Sequence, residues 1–448
     1  MSQKRNLYGI GAAALVLAAT GYQFGFSSDA VSAQQEAPFR NPSVTHLMRT
    51  YSLTEAEAQK RIDLQSDIMA LAESLNSGND PDFGGIYVQQ QPVFRIVVSF
   101  ADRDDRKAFV DSISPRIRQY VQIRPAKRSK GQVISDQKLL DRAFAEFSEP
   151  FVGGYNLETE RFEYIVGSEG VAERFRATVP ERLKSDLTVS IGALPGNESA
   201  PTGVQSGDTI RGGQTAYFSS LSPACTFSYA VTYTKDGVAK RGILTAGHCS
   251  NTLVHKLATH NVTLSGPDYD KETCGVGGQH DYQIMETTGM GTSYTIEYKD
   301  KNSIPEFPAS GTLDLTGTRS VANSYGGMVV CKSGQTTGIT CGEITSTNTT
   351  FREINSSCPS GTASGGYIRV SKSNQTDLSA GGDSGGPWFV YPGTSQNILG
   401  TGLHTAGGCV YDSAGKCQSD TGPTAYSIYM PIERINDHNS TVSTIKKP

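Results

Sequence analysis

The first half of this 448-residue chain lacks cysteine, because all eight cysteines lie at or beyond Cys225. An even number of cysteines confined to one segment indicates disulfides within one exported domain. No C-x-x-C pair occurs, which disfavours the alternative of free or metal-binding thiols, and no metal is expected. The chain also lacks an excess of basic charge: its formal net charge is −4, which argues against a nucleic-acid partner.

Long apolar runs are scarce as well. The stretch Leu7–Gly21 is shorter than the roughly 20 residues that a helix needs to span a bilayer. It follows Lys4 and Arg5 and precedes the small residues Val31–Ala33, so residues 1–33 are predicted to be a signal peptide. A retained membrane anchor is the alternative. We therefore expect a secreted, extracellular protein without membrane contact after the signal is cleaved.

Glycine, in contrast, is abundant: 48 glycines and only 19% charged residues favour strands and loops over a helical bundle. At about 150 residues per domain, the length predicts two or three domains. Residues 34–207 contain an internal repeat of a helix followed by a β-hairpin, which predicts a compact α/β unit. The repeat is indicated by capping boxes at Ser52 and Thr54, the strands Ile86–Val88 and Phe94–Phe100, a second helix Asp136–Phe147, and the strand Phe162–Val166.

Residues 208–448 change to short strands separated by turns, such as the predicted hairpin turn Lys235–Gly237, and favour paired β-barrels. Ser384 lies in the glycine-rich turn Gly382–Pro387, where backbone N–H groups can point at a substrate oxygen. The G-x-S-x-G pattern also fits α/β-hydrolase esterases, but in that fold the acid and the histidine follow the serine. Only His404 and His438 follow Ser384, whereas the motif Thr245–Cys249 supplies a histidine before it.

The motifs Thr245–Cys249 and Gly382–Pro387, with the stretch Val330–Gly342, resemble those of chymotrypsin-like serine proteases of the bacterial streptogrisin and α-lytic branch. The resemblance covers roughly residues 208–448. It implies an all-β catalytic domain of two six-stranded antiparallel β-barrels, preceded by an α/β (α+β) pro-region. It also implies a secreted endopeptidase that is made as a zymogen, needs no cofactor, acts on protein or peptide substrates and is a monomer.

The domain boundaries follow from that resemblance. Residues 34–207 are predicted to be a propeptide with two helix-hairpin units, and residues 208–448 a trypsin-like serine protease domain. The propeptide would act as an intramolecular chaperone and inhibitor, because a β domain with many non-local contacts folds slowly. The mature chain is expected to begin near Pro195–Ile210, where Pro, Gly, Ser and Asn cluster. An accessory domain that stays attached is the alternative.

The resemblance assigns a catalytic triad. His248 would be the general base and Ser384 the nucleophile. Asp281, ahead of an alternating strand, is the predicted third member, while its rivals Asp268 and Asp270 are predicted to lie in a solvated turn. The N–H groups of Gly382 and Ser384 would form the oxyanion hole. Asp383 would have a structural role, and a catalytically inactive homologue acting as an extracellular binding module is the alternative.

The stretch Gly402–Gly408 is similar to the strand that lines the specificity pocket in this family and pairs with the substrate backbone. His404, Thr405 and Gly407 are therefore predicted substrate-binding residues. Relatives that cleave after glutamate carry histidine at the position of His404, and imidazole can bind a carboxylate. We therefore expect a preference for acidic residues, chiefly Glu, before the scissile bond. A pocket-wall histidine without this role is the alternative. Leu378, at the pocket base, disfavours cleavage after Lys or Arg.

The eight cysteines are predicted to form four disulfides. The resemblance implies that one of them braces the histidine loop and that another closes the Thr336–Gly338 turn. Two further pairings are predicted for the other four cysteines. The four predicted pairs are Cys225–Cys249, Cys331–Cys341, Cys409–Cys417 and Cys274–Cys358.

Overall fold

A computed structural model describes most of the chain from Arg40 onward. The described residues are 40–102, 106–144, 147–196, 209–257, 260–272, 280–287, 290–301, 310–352, 364–371, 378–393, 395–411, 417–419 and 425–448. The predicted signal peptide of residues 1–33 lies outside them. Among the helices of these residues, none is both long enough and apolar enough to cross a membrane.

The N-terminal part, residues 40–196, is a mixture of helices and short strands. Its helices are α1 (Pro42–Tyr51), α2 (Glu55–Ser77), α3 (Lys107–Ser112), α4 (Pro115–Arg118), α5 (Lys130–Ala143) and α6 (Glu169–Thr178), with a 3₁₀ turn at Glu181–Asp186. Its strands are β1 (Phe83–Gln89), β2 (Arg95–Phe100), β3 (Val121–Pro125), β4 (Phe151–Asn156), β5 (Arg161–Val166), β6 (Leu187–Ile191) and β7 (Leu194–Gly196).

Two copies of one arrangement make up most of this part. In each copy a long helix, α2 or α5, precedes an antiparallel hairpin, which is β1–β2 or β4–β5. Each copy then returns through shorter helices to a third strand, which runs parallel to the second hairpin strand: β3 beside β2, and β6 beside β5. The repeat is therefore longer than the helix-hairpin unit that the sequence indicates.

The start of helix α5 differs from the sequence prediction. The helix begins at Lys130, six residues before the predicted Asp136, and it ends at Ala143. The cause is a capping box that was not predicted: the Ser129 hydroxyl accepts from Gln132 N, and the Gln132 side chain accepts from Ser129 N. Helix α2 begins where predicted, with the Thr54 hydroxyl accepting from Glu57 N.

The C-terminal part, residues 209–448, is almost entirely β-structure. Its strands are β8 (Thr209–Gly212), β9 (Thr215–Tyr217), β10 (Pro223–Thr226), β11 (Ala230–Lys235), β12 (Val238–Thr245), β13 (Thr252–Lys256), β14 (Asn261–Ser265), β15 (Tyr269–Glu272), β16 (Asp281–Glu286), β17 (Gly291–Lys299), β18 (Ser310–Thr318), β19 (Val329–Gly334), β20 (Gly338–Arg352), β21 (Ser364–Ser371), β22 (Pro387–Val390), β23 (Asn397–Tyr411), β24 (Cys417–Ser419), β25 (Tyr426–Pro431) and β26 (Ser443–Thr444). Short 3₁₀ and α segments lie at Val321–Asn323 and at α7 (Glu433–His438).

Three sheets organise these strands. One has the order β10-β9-β13-β14 and the next β15-β16-β12-β11-β26, while the third joins β4, β5 and β6 to the strands around β19, β20, β22 and β23. The predicted turn between β11 and β12 is confirmed, since Lys235 pairs with Val238 and the two residues between them have positive φ. The expected all-β C-terminal part after a mixed α/β part is confirmed.

The N-terminal part packs closely against the C-terminal half of the β-structure. Strand β4 pairs antiparallel with β20. The buried amide of Gln65 on α2 binds both main-chain groups of Val329, accepting from its N–H at 3.1 Å and donating to its carbonyl at 3.2 Å. On α1, Tyr51 donates to both carboxylate oxygens of Glu343 at 2.8 Å. The hydrophobic core around Trp388 also includes residues of α2, β1 and β2.

Candidate active site

His248 lies in a turn that two neighbouring strands and a disulfide hold in place. Strand β12 ends at Thr245, and the disulfide between Cys225 and Cys249 ties the turn to β10. Strand β16 pairs with β12 and begins at Asp281, which brings that carboxylate under the imidazole. His248 Nδ1 lies 3.1 Å from both Asp281 carboxylate oxygens, and the backbone N–H of His248 donates to Asp281 Oδ1 at 3.1 Å.

Asp281 is suited to staying ionised beside that imidazole. It is 3% exposed, and burial alone would raise its pKa. The opposing interactions prevail, because the charge of His248, its ring and backbone hydrogen bonds and the hydroxyl of Thr405 lower the pKa below the ordinary value. A buried carboxylate at Nδ1 fixes the tautomer with its proton at Nδ1 and leaves Nε2 as the base.

The turn with Ser384 packs directly on the strand that leads to His248. Gly385 has φ +83°, and a Cβ there would come within 2.3 Å of Thr245 Oγ1 and 2.7 Å of Ala246 N. Only glycine allows this close approach in that conformation. Hydrogen bonds from Thr226 N to Ser384 O and from Gly385 N to His404 O fix the turn on both sides.

The predicted oxyanion donors have the geometry of a tight glycine turn. Gly382 has φ +91°, and its carbonyl accepts from Thr226 Oγ1 at 2.7 Å. Within the described part of the chain, neither the N–H of Gly382 nor that of Ser384 donates to another protein group. Two N–H groups of one short turn that have no internal acceptor are available to a substrate carbonyl oxygen.

A buried ion pair supports this turn from below. Lys332 Nζ and Asp383 Oδ2 are 2.7 Å apart, and both side chains are fully buried. The Asp383 carboxylate also accepts from the N–H groups of Thr336, Thr337 and Ala380. Burial would raise the pKa of Asp383, but the charge of Lys332 and the side-chain hydrogen bonds from Lys332 and the Thr337 hydroxyl lower it. Lys332 lies within the stretch Val330–Gly342, but its pairing with Asp383 was not predicted from the sequence.

His404 lies on β23 next to the serine turn and is 3% exposed. Its Nδ1 accepts from the indole Nε1–H of Trp388 at 3.3 Å. Because indole is only a donor, Nδ1 is unprotonated and the ring proton lies on Nε2. Burial, helped by the charge of Lys332, lowers the pKa of His404 to about 3. Trp388 is the only tryptophan in the chain, and its stacked contact with Tyr429 fixes its orientation.

The other predicted pocket residues lie along or near the same strand. Thr405 follows His404, and its hydroxyl contributes to the lowered pKa of Asp281. Gly407 pairs with Ser427 of β25 on one side and with Gly196 of β7 on the other. Leu378 is buried in the apolar core around Trp388 and brings no charge to this region.

Asp268 and Asp270, the two alternative candidates for the third member of the triad, lie elsewhere. They are not in a solvated turn, as had been predicted. Asp268 is the centre of an ion-pair cluster: Lys235 and Lys240 lie 2.8 and 2.9 Å from its oxygens, and Tyr233 donates at 2.8 Å. These partners overcome burial and lower its pKa to about 2. Asp270 is in strand β15, opposite Gln283. Asp268 therefore differs from the prediction because two lysines bind its carboxylate, and Asp270 differs because it belongs to a paired strand.

Two of the predicted disulfides are present, Cys225–Cys249 and Cys331–Cys341. Cys274 and Cys358 lie outside the described residues. Cys409 and Cys417 are on adjacent antiparallel strands, with Tyr411 opposite Cys417, and their side chains are not among those described. In the described ranges, no group of three or more His, Cys, Asp or Glu side chains could hold a metal ion.

No family model matches the chain. It is 28% identical over 214 residues to glutamyl endopeptidase 2 of Streptomyces griseus, a match that covers 44% of this chain and 92% of that protein. The chain is also similar to two solved structures, and each match covers 53% of this chain and 100% of the chain in that structure. They are Thermobifida fusca protease A, with 21% identity and a TM-score of 0.34, and one described as "A glutamic acid specific serine protease utilizes a novel histidine triad in substrate binding", with 23% and 0.36.

TM-scores of 0.34 and 0.36 do not by themselves support a relationship to these two proteins. The sequence match to the Streptomyces griseus enzyme spans nearly all of that protein. This similarity confirms the resemblance that the motifs around His248 and Ser384 indicate, to the chymotrypsin-like serine proteases of bacteria.

Proposed function

We propose that this chain is a secreted serine endopeptidase, made as a zymogen, that hydrolyses peptide bonds through an acyl-enzyme. The observation that carries the proposal is the position of His248, with its Nδ1 against buried Asp281 and its turn packed on the glycine turn of Ser384. In this arrangement Nε2 of His248 takes the Ser384 proton as Oγ attacks, and later gives it to the leaving amine.

The N–H groups of Gly382 and Ser384 stabilise the oxygen that becomes negative in the tetrahedral intermediate. Preformed donors help the reaction because they need no reorganisation when the charge develops, and loss of one typically costs about 10²–10³ in rate. The ion pair of Lys332 with Asp383 holds the turn in this form, since Asp383 accepts from three backbone N–H groups around it.

The proposal includes a preference for glutamate before the scissile bond. His404 offers a neutral Nε2–H, because Nδ1 accepts from Trp388 and burial lowers the pKa to about 3. A neutral N–H donor can bind a side-chain carboxylate by a hydrogen bond without carrying a charge. Leu378 supplies no negative group for Lys or Arg. The name of the Streptomyces griseus relative, a glutamyl endopeptidase, agrees with this preference.

The N-terminal part, residues 40–196, acts in this proposal as a propeptide that assists folding and inhibits the site. It adds strands to the sheet of the C-terminal part through β4, and Gln65 binds both main-chain groups of Val329. A β domain whose strands pair far apart in sequence folds slowly, so a template for β19 and β20 would speed its assembly.

Hydrolysis of matched peptides tests the activity. The secreted chain is incubated with peptides that differ only in Glu, Gln, Leu, Phe or Lys before the scissile bond, and with a simple ester, beside Ser384→Ala. We expect peptide cleavage, fastest after Glu, and loss of about 10⁶ in kcat in the variant. Cleavage of the ester alone would replace the endopeptidase with an esterase, and faster cleavage after Phe or Leu would refute the acidic preference.

A further inference from the structure

A cavity of about 510 Å³ lies between the N-terminal part and the β-structure of the C-terminal part. Helix α5 and strands β1 and β4 contribute to its walls from the N-terminal side. The 3₁₀ turn at Val321–Asn323, strands β20 and β21 and helix α7 contribute from the other side. The volume is typical of sites for small organic ligands. Its lining includes none of His248, Asp281 and Ser384, so the proposed reaction does not use it.

Much of the lining of this cavity is apolar. Ile86, Val133, Leu157 and Val321 contribute to it from both parts of the chain. Ile134 on α5 also lines the cavity, and it is 41% exposed, which is unusual for a large apolar side chain among the described residues. Apolar surface in contact with water is unfavourable, so a ligand with an apolar chain would gain free energy by covering it.

The side of α5 that faces this cavity is positively charged. Lys130, Ile134, Lys138 and Arg142 follow one another at intervals of four residues, which places them on one broad side of the helix, and all four line the cavity. Lys130 donates to the carbonyl and side-chain oxygens of Asn76 at 2.9 and 3.0 Å. Lys138 and Arg142 are exposed and form no ion pair within the described part of the chain. These two side chains are therefore available to an anion.

The C-terminal part adds a further positive charge to the lining through Arg434 of α7. Its Nη1 lies 3.1 Å from Asp437, and its buried Nε has no hydrogen-bond partner among the described residues. The carboxylate in the lining, Asp141, already accepts from Gln137 at 2.8 Å and from Thr350 at 2.9 Å, and burial raises its pKa. Cations therefore outnumber anions in the described lining, and the charge of the cavity favours a negatively charged ligand.

We propose that this cavity binds an amphiphilic anion, namely a carboxylate with a long unbranched apolar chain, as in a fatty acid. The chain covers Ile134 and its apolar neighbours, and the carboxylate is bound by Lys138 and Arg142. Because the walls come from both parts of the protein, the ligand stabilises the form in which the two parts are packed together. This inference goes beyond the proposed endopeptidase function and does not depend on it.

Calorimetric titration of the full-length chain with dodecanoate, kept below its micelle concentration, tests the inference. The chain carries Ser384→Ala so that the sample is not hydrolysed. We expect saturable binding of one dodecanoate and an unfolding temperature that rises with its concentration. Dodecyltrimethylammonium, with the same chain and a positive head, and hexanoate, with the same head and a shorter chain, should bind at least about tenfold more weakly. Absence of dodecanoate binding, or equal binding of either comparison compound, would overturn the inference.

Two further substitutions in the same protein locate the binding. Ile134→Asp and Lys138→Glu should each raise the Kd for dodecanoate at least about tenfold, since one removes apolar contact and the other reverses a charge. The matched controls are Ile191→Asp and Lys127→Glu, because Ile191 is 53% exposed, the Lys127 side chain is 52% exposed, and neither residue lines the cavity. The controls should leave the Kd unchanged, and thermal unfolding without ligand checks that each variant is folded. Unchanged binding in the first two variants, or an equal loss in the controls, would overturn the site and leave the proposed endopeptidase function unaffected.

Discussion

Two carboxylates of the candidate site are buried, Asp281 at the start of β16 and Asp383 within the serine turn, and they have different partners. Asp281 faces the imidazole of His248, whereas Asp383 faces the ammonium of Lys332. Both have pKa values below the ordinary one for the same reason, since nearby positive charge and hydrogen bonds outweigh burial. The difference lies in the partner: an imidazole has a second ring nitrogen that can accept and return a proton, whereas the ammonium of Lys332 is only a hydrogen-bond donor.

We therefore expect the two carboxylates to have different roles: Asp281 supports proton transfer by His248, and Asp383 maintains the backbone conformation of the serine turn. In the proposed mechanism Asp281 orients a base, so its removal should mainly affect the rate. Asp383 binds three backbone N–H groups as well as Lys332, so the loss of its partner should affect folding and rate together.

The largest effect is expected for Asp281→Asn. The amide retains the shape of the side chain but favours the wrong tautomer of His248, so kcat should fall about 10⁴-fold while the unfolding temperature changes little. Steady-state kinetics and thermal unfolding measure the two quantities. Asp270→Asn is the matched control, because Asp270 is exposed and lies on the adjacent strand β15. Equal losses of activity in both variants would contradict the assignment of Asp281.

The second prediction concerns Lys332→Met, which leaves the Asp383 charge buried without its partner. We expect a loss of about 3–5 kcal/mol in the free energy of unfolding, because one ion of a buried pair is left uncompensated. Activity should fall with it, since the serine turn loses its support. Urea unfolding and peptide hydrolysis measure both. The control is Lys299→Met, because Lys299 is 39% exposed and lies 3.7 Å from Glu297. If Lys332→Met were stable but inactive, Lys332 would act in the reaction itself and not mainly in the stability of the serine turn.

The third prediction concerns how His404 is held. Trp388→Phe removes the indole N–H, so the ring is no longer fixed with its proton on Nε2, and the preference for Glu over Leu should fall about tenfold. Tyr429→Phe keeps the ring stacked on Trp388 and should leave the preference unchanged. Ratios of kcat/KM for the two peptides measure the effect. If both variants lose the preference equally, packing and not the hydrogen bond controls it.

The pH dependence of the same ratio sharpens this point. Because the pKa of His404 is lowered to about 3, the ring is neutral above that pH. The Glu-to-Leu ratio of the wild type should therefore stay level between about pH 5 and 8, where an ordinary histidine with a pKa near 6.5 would lose its charge. A ratio that falls through about pH 6.5 would show that His404 binds substrate as a cation.

The smallest effect is expected for Asp268→Asn, which weakens the partly exposed cluster with Lys235 and Lys240. Partly exposed ion pairs typically contribute up to about 1 kcal/mol. The pKa of Asp268 is lowered to about 2, so its contribution is present above about pH 4 and is lost as the pH falls toward 2. The stability difference between variant and wild type should therefore shrink on acidification, with kcat unchanged. A loss of activity would link this cluster to the site.

Much of the site could be predicted from sequence because its residues lie in short contiguous motifs. The turns around His248 and Ser384 depend on local glycines, and strand β16 begins at Asp281, as its alternating pattern indicates. The partners from distant segments could not be predicted in this way. Lys332 is 51 residues from Asp383, and only the pairing of β19 with β22 brings them together. The contact of Trp388 with His404 likewise depends on the register of β22 against β23.

Prediction of the fold from the sequence has the same limit, because contacts between distant segments leave no local pattern. Helices and hairpins of the N-terminal part can be predicted from the sequence, because their periodicity and capping are local. The third strand of each copy was not predicted, since β3 and β6 are joined to their sheets by parallel pairing across intervening helices. The position of β7 on β23 likewise depends on contacts more than 200 residues apart.

The central claim is that Ser384 is a nucleophile activated by His248 and Asp281. Covalent labelling with a fluorophosphonate, with the adduct located by mass spectrometry, tests it most directly. We expect one adduct on Ser384 in the wild type, no adduct in Ser384→Ala, and labelling slowed by several orders of magnitude in His248→Ala. A folded, processed wild type without an adduct on Ser384 would contradict the claim and indicate an inactive binding protein.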